Sequence, residues 1–265
     1  MSDRIELTIE NQLAQVRLNR PDKLNALDLE MFQAIAQTQK TLARNRDIRA
    51  VILSGEGDDF CSGLDVQSLM KDGSGMRKLL WKWLPWRANL AQQAGIGWRE
   101  LQVPVIAAVH GRCWGGGMQI ALGADFRIVR PDASLSVMEG KWGLIPDMGG
   151  TLGLRELTNR DQAMWLAMSA EEFSGKRALE LGLATALADD PAGVATELAT
   201  ALLERSPDAV AGVKRLYRNS WAGSAGSALA RETIFQLRIL SSGNQRIAVR
   251  RQFGEGIEFQ RPGKW

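Results

Sequence analysis

The chain has 265 residues, 45% of them hydrophobic and 24% charged, with a formal net charge of +3, a balance that suits a globular protein with ample core and excludes a disordered or fibrous one. No apolar run approaches the roughly 20 residues of a membrane span, and Met1-Ser2-Asp3-Arg4 lacks a signal-peptide core. Cys61 and Cys113 give neither a disulfide framework nor a metal-ligand spacing, so a reducing cytoplasm is the expected setting and no metal is expected.

Ile5–Ile9 and Ala14–Leu18 each alternate like a half-buried strand, and Asn11-Gln12 between them predicts a hairpin. Arg20-Pro21-Asp22-Lys23 breaks the pattern, and Asn25-Ala26-Leu27 leads to Asp28, a helix N-cap. Leu29, Phe32, Ile35 or Ala36, and Leu42 then mark one face of a helix ending near Arg44. Ala50–Leu53 reads as a buried strand, and Phe60–Asp65 as a strand, small residues and a helix start. Residues 76–101 carry Trp81, Trp83, Trp86 and Trp98 around Pro85. They read as a broken helix covering an apolar cavity, such as an acyl-chain wall, or more plainly as a buried interface or core patch.

Val103–Val109 is a third buried strand, ending in His110-Gly111, and Gly115–Gly117 precede an apolar helix-like segment, Met118–Leu122. Phe126–Val129 and Ser134–Val137 read as short strands before a Gly-rich loop at 140–150. Helical periodicity then dominates at 161–168, 175–182, 191–205, 207–219 and 228–240, with only Leu183–Ala188 strand-like. Strands alternating with helices and then a run of helices predict an α/β core over 1–203 and a helical region over 204–265. That last region holds 11 Lys and Arg against 5 Asp and Glu, a balance of +6 that leaves −3 for the rest. Solvated helix faces account for it more readily than an anionic ligand, an acidic partner face or nucleic acid does.

Chemistry concentrates at the glycines. Without a Cβ on Gly115, Gly116 or Gly117 a ligand atom can reach the main chain, and N–H groups opening a helix suit an oxyanion. Taken alone, three glycines are better explained by a tight packing turn, and no phosphate-loop spacing follows them. A similar element upstream, Phe60-Cys61-Ser62-Gly63-Leu64-Asp65, favours the anion site.

Together these stretches resemble the crotonase superfamily, the enoyl-CoA hydratase/isomerase family. The likeness covers nearly the whole chain: Arg20-Pro21 with Asn25-Ala26-Leu27, the Phe60–Asp65 and Gly115–Gly117 loops, Glu139 with Gly143, Pro146 and Gly149-Gly150, and Ala178–Leu183. The resemblance implies a ββα superhelical core, a C-terminal helical trimerisation region and acyl-CoA thioester substrates with no further cofactor. It assigns the oxyanion-binding amides to Leu64 and Gly116, where fixed donors would each contribute roughly 3–4 kcal/mol to a developing enolate. It also sets Lys23, Leu24, Ser62, Gly63 and Asp65, with Gly115 and Gly117, against the CoA moiety or the thioester. The assembly it implies is a homotrimer or a dimer of trimers.

Position 119 departs from the hydratase pattern. Hydratases of the family carry glutamates at both acid/base positions; here Glu139 fills one and Gln119 the other. An amide orients water but neither takes nor returns a proton, and losing a general base costs about 10²–10⁴ in rate. Asp147, eight residues after Glu139, matches the second acid of the family's dienoyl-CoA isomerases, although a turn aspartate capping a helix near Gly149 is a plain alternative. The expected activity is therefore a double-bond shift in an enoyl- or dienoyl-CoA, with Glu139, Asp147 and Gln119 at the reacting carbons and plain hydration in β-oxidation as the alternative. Two other readings compete: a Cys61–His110 thiol nucleophile, and a non-catalytic RNA-binding crotonase fold using the basic tail. No motif supports the first, and the tail lacks interleaved aromatics, so nucleic acid is not an expected partner.

Overall fold

The structure, a computed structural model, describes residues 3–71 and 75–263. Its strands are β1 (Ile5–Glu10), β2 (Leu13–Leu18), β3 (Ala50–Gly55), β4 (Val105–Val109), β5 (Arg112–Trp114), β6 (Phe126–Val129), β7 (Ser134–Ser136), β8 (Phe173–Ser174) and β9 (Ala186–Leu187). The helices of the N-terminal half are α1 (Leu29–Arg44), α2 (Val66–Lys71), α3 (Gly75–Leu80), α4 (Leu90–Glu100) and α5 (Gly116–Leu122). In the C-terminal half are α6 (Gly150–Leu157), α7 (Arg160–Ser169), α8 (Gly175–Glu180), α9 (Pro191–Leu203), α10 (Pro207–Ser220), α11 (Ala225–Leu240) and α12 (Gly243–Gln252).

One sheet has the order β1-β2-β3-β4-β6-β9, antiparallel only between β1 and β2. The expected hairpin forms, its turn made by Asn11 and Gln12 with positive φ. The second sheet pairs β5 with β7 in parallel and β7 with β8 antiparallel. In β3 and β4 the side chains alternate between two cores. Val51, Leu53, Val105, Ala107 and Val109 join the main core, whereas Ala50, Ile52, Ile106 and Ala108 pack with Ala195 and Ala199 of α9. Burial on both faces is why these strands read as unbroken apolar runs.

Several expectations shift by physical necessity. Phe60–Asp65 is not a strand but a loop with two isolated main-chain bridges, Cys61 to Cys113 and Leu64 to Leu27. Leu183–Ala188 contracts to the two residues of β9, because Ala178 O accepts from both Leu183 and Ala184 N–H in the turn after α8. The 76–101 segment is indeed broken, into α3 and α4, yet Trp81, Trp83 and Trp86 are exposed and only Trp98 enters the core. Strand β5 and helices α6 and α12 were not anticipated individually. Part of the basic tail is paired: Arg250 with Glu255 and Arg251 with Glu204 at the surface, within the tail itself, and buried Lys214 with Asp125 of the core at 2.6 Å.

Asn25 holds the loop that precedes α1. It is fully buried in a left-handed conformation (φ +55°), accepts from Arg20 N–H at 2.8 Å, and donates to Glu56 O and Asp59 O at 2.9 and 2.7 Å. Asn25→Ala strands all three groups, and we expect urea denaturation to show a loss of about 2–4 kcal/mol.

Candidate active site

Three segments meet in main-chain contact. Cys61 N–H donates to Arg112 O (2.9 Å) and Trp114 N–H to Cys61 O (3.0 Å), which joins the 60–65 loop to β5. Ser62 N–H donates to Leu24 O, Leu27 N–H to Gly63 O and Asp65 N–H to Leu27 O, at 2.8 to 3.0 Å, which joins the same loop to residues 24–27. Glycine is required at the crossing: a Cβ on Gly117 would lie 2.4 Å from Cys61 O, and one on Gly63 2.8 Å from Trp114 O and 3.4 Å from Gly116 N. In the 61–66 loop the N–H groups of Cys61, Ser62, Gly63, Asp65 and Val66 all find acceptors. Among the hydrogen bonds of the described residues, those of Leu64 and Gly116 donate to none. Two free donors thus sit on adjoining loops.

Beside them lies a buried polar cluster. Gln119, on the first turns of α5, accepts from Met148 N–H (2.8 Å) and Gly150 N–H (2.9 Å) through Oε1. Those two donors fix the amide's orientation, so its Nε2 faces Glu139 and donates to Oε1 at 2.5 Å. Glu139 stands on a 3₁₀ turn, Met138–Trp142, closed by Gly143 in the left-handed conformation. Its second oxygen, Oε2, is buried with no partner. A Cβ on Gly115 would sit 3.5 Å from Glu139 Oε1, so the glycine triplet and the carboxylate share one site.

Burial raises the Glu139 pKa above the ordinary 4.5, helped by the charge of Asp147 and opposed by the Gln119 hydrogen bond. Asp147 is open to solvent on one side, and partial desolvation raises its pKa too. It does not cap α6: Gly149 is the N-cap, with no side-chain hydrogen bond. The turn-aspartate alternative thereby loses its cap, while the electrostatic link to Glu139 remains.

The other sequence-derived positions are spread around this cluster. Leu24 (φ +54°) turns the loop and holds Ser62 through its carbonyl, and Lys23 beside it is exposed. Asp65 is occupied: Arg20 pairs with its Oδ2 at 2.8 Å, and Ser68 donates to both oxygens. It therefore anchors the loop through its carboxylate. Burial pushes the Cys61 thiol up to about 12, and His110 bonds Gly57 O, so the thiol-nucleophile reading fails on protonation. Sequence reasoning missed Met148, whose sulfur lies 3.0 Å from where a Gly116 Cβ would stand. Its only signal was an apolar residue inside a glycine-rich loop.

The sequence profile of the enoyl-CoA hydratase/isomerase family matches residues 8–251. The chain belongs to that family, within the crotonase superfamily. Among its relatives, a peroxisomal Delta(3,5)-Delta(2,4)-dienoyl-CoA isomerase from Arabidopsis thaliana is 32% identical over 82% of this chain and 81% of its own. A 1,2-epoxyphenylacetyl-CoA isomerase from Escherichia coli (strain K12) is 34% identical over 69% and 68%. The crystal structure of an enoyl-CoA hydratase from Polaromonas sp. JS666 superposes with a TM-score of 0.85 at 27% identity, covering 98% of this chain and 99% of that one. The family fold, with its mixed α/β core and helical C-terminal region, is the fold seen here. No helix among the described residues is long and apolar enough to cross a membrane.

A raised carboxylate pKa means that the folded state binds the Glu139 proton more tightly than the unfolded chain does. The ionised group then opposes folding above its folded pKa, and the penalty disappears below the unfolded value near 4.5. Glu139→Gln is expected to melt higher than wild type at pH 7–8. The gap should close as pH falls toward 4, as followed by circular dichroism.

Proposed function

We propose that this protein shifts the double bond of an enoyl- or dienoyl-CoA, with Glu139 Oε2 carrying the proton. The observation that bears most weight is the Gln119 amide: it holds one Glu139 oxygen, leaves the other unpartnered, and cannot itself titrate. The thioester oxygen accepts from Leu64 and Gly116 N–H, which stabilises the dienolate formed when Glu139 removes the C2 proton. The proton then returns at the far end of the conjugated system. In a 3,5-dienoyl substrate that end is C6, and Asp147, its pKa raised like that of Glu139, supplies the second acid. Lys23, Leu24, Ser62 and the glycines flanking the two donors serve the CoA end of the substrate. The dienoyl-CoA isomerase relative supports the reading. Hydration instead needs a second proton-transfer group beside Glu139, and position 119 does not provide one.

Parallel turnover of 2-enoyl-, 3-enoyl- and 3,5-dienoyl-CoA tests this. We expect isomerisation of a 3-enoyl or dienoyl thioester to outrun hydration, and Glu139→Gln to lower it by about 10²–10⁴. Asp147→Asn should harm only the dienoyl reaction. Gln119→Glu keeps the acceptor for Met148 and Gly150 N–H, places a second carboxyl against Glu139, and should raise hydration with one group protonated. Fast wild-type hydration that survives Gln119→Ala would return the protein to the hydratase reading.

We infer as well that the core over 1–203 and the helical region over 204–265 assemble as a homotrimer or a dimer of trimers. Val213 and Tyr217 on α10, Trp221 at its C-cap, and Leu229, Ile234 and Leu237 on α11 are more than half exposed, an apolar load uncommon on a monomer. Light scattering after size exclusion should give a mass three or six times 29.1 kDa, and Leu237→Glu with Trp221→Glu should lower it.

A further inference from the structure

The indoles of Trp81, Trp83 and Trp86 are the feature that the reaction above does not use. They lie between α3 and α4, 60%, 81% and 80% exposed, in the sequence Trp81-Lys82-Trp83-Leu84-Pro85-Trp86-Arg87. Met76 and Leu80 are exposed beside them on α3, while Leu79 alone turns into the core and anchors the segment. Trp81 and Trp83 pack ring to ring, centroids 5.8 Å apart, into one aromatic surface. Trp98 shows that this fold buries an indole where it has room, so the exposure of the other three is a property of their loop.

The charge pattern identifies the occupant. From residue 73 to residue 99 there is no Asp or Glu, whereas Arg77, Lys78, Lys82, Arg87 and Arg99 are cationic. Arg99 is bonded to Glu156 from α6; the others lie on the indole segment itself. Lysine interleaved with tryptophan is poor material for the core of a protein–protein contact, where lysine is depleted. It fits a lipid surface. Indoles sit at headgroup depth, and cations among them meet anionic phosphates.

We propose that residues 76–87 dock the protein onto an anionic lipid surface, with the indoles in the headgroup layer and the cations against lipid phosphates. The inference stands apart from the reaction chemistry, since none of these residues touches Glu139 or Gln119.

Co-sedimentation of the full chain with sucrose-loaded vesicles tests it, using phosphatidylcholine alone or with one third phosphatidylglycerol. Wild type is expected to pellet with the mixed vesicles, less at high salt, and to stay in solution with the neutral ones. Trp81→Ser/Trp83→Ser/Trp86→Ser should lower the bound fraction about tenfold or more, and Lys82→Glu/Arg87→Glu should do the same. Because the three indoles and Arg87 are exposed and Lys82 is only half-buried, both variants should keep the wild-type melting curve. Failure of wild type to bind either vesicle overturns the proposal, as does a tryptophan-free segment that binds like wild type. A triple variant that changes only the particle mass in light scattering would assign the indoles to contacts between copies, and the proposal would fall.

Discussion

The contact on which the rest of the structure depends is main chain against main chain, where the 61–65 loop crosses β5 and the start of α5. Two hydrogen bonds between Cys61 and the Arg112–Trp114 strand set the spacing, and Gly117 permits it because a Cβ would meet Cys61 O at 2.4 Å. No side chain intervenes, so the position of the Leu64 and Gly116 amides is fixed by backbone geometry alone. Fixed dipoles need no reorganisation when charge develops on a bound oxygen, and that is the source of their value in catalysis. The same crossing explains the inert cysteines. Cys61 and Cys113 are small enough to fill the space behind it, and burial keeps both thiols protonated.

Much of this was legible in the residues, and the boundary of legibility is physical. Buried parallel strands announce themselves as apolar runs, and Asp28 as the cap of α1. Strand β5 did not, since three residues between two glycine turns carry no periodicity. Helix α4 had a visible signature in Asn89 and Gln92, a reciprocal capping box. The indoles just before it drew the reading toward a buried segment, because tryptophan is on average well buried. At the site, residue types were readable but pairings were not. Gln119 meets Glu139 across 20 positions and Gly150 across 31, and only the fold of the intervening loop brings them together.

That amide does more than replace an acid. Its oxygen takes the N–H groups on either side of Gly149, so it pins the 147–150 loop, and its nitrogen pins Glu139. Position 119 thereby ties the Glu139 turn and the loop after Asp147 to the helix that opens at the glycine triplet. A glutamate there could satisfy the same loop donors, but only by bringing a second negative charge against Glu139 in a buried place. One of the pair would then have to hold a proton. With glutamine no proton has to be shared, and Glu139 is free to ionise as a lone base, subject to its own burial.

The C-terminal helices show the same economy with charge. Lys214 on α10 is buried, and its Nζ reaches Asp125 Oδ2, Trp98 O and Val103 O at 2.6, 3.2 and 2.9 Å. All three ammonium donors are used, which is the condition under which a buried cation is tolerated. Its partners lie at the end of α4, the approach to β4 and the turn after α5. The helical region is therefore fastened at the root of the elements whose far ends carry the site. Arg218 adds a bond to Arg99 O in the same place. A basic excess that looks in sequence like an invitation to a polyanion is, for these residues, internal wiring between the tail and the core.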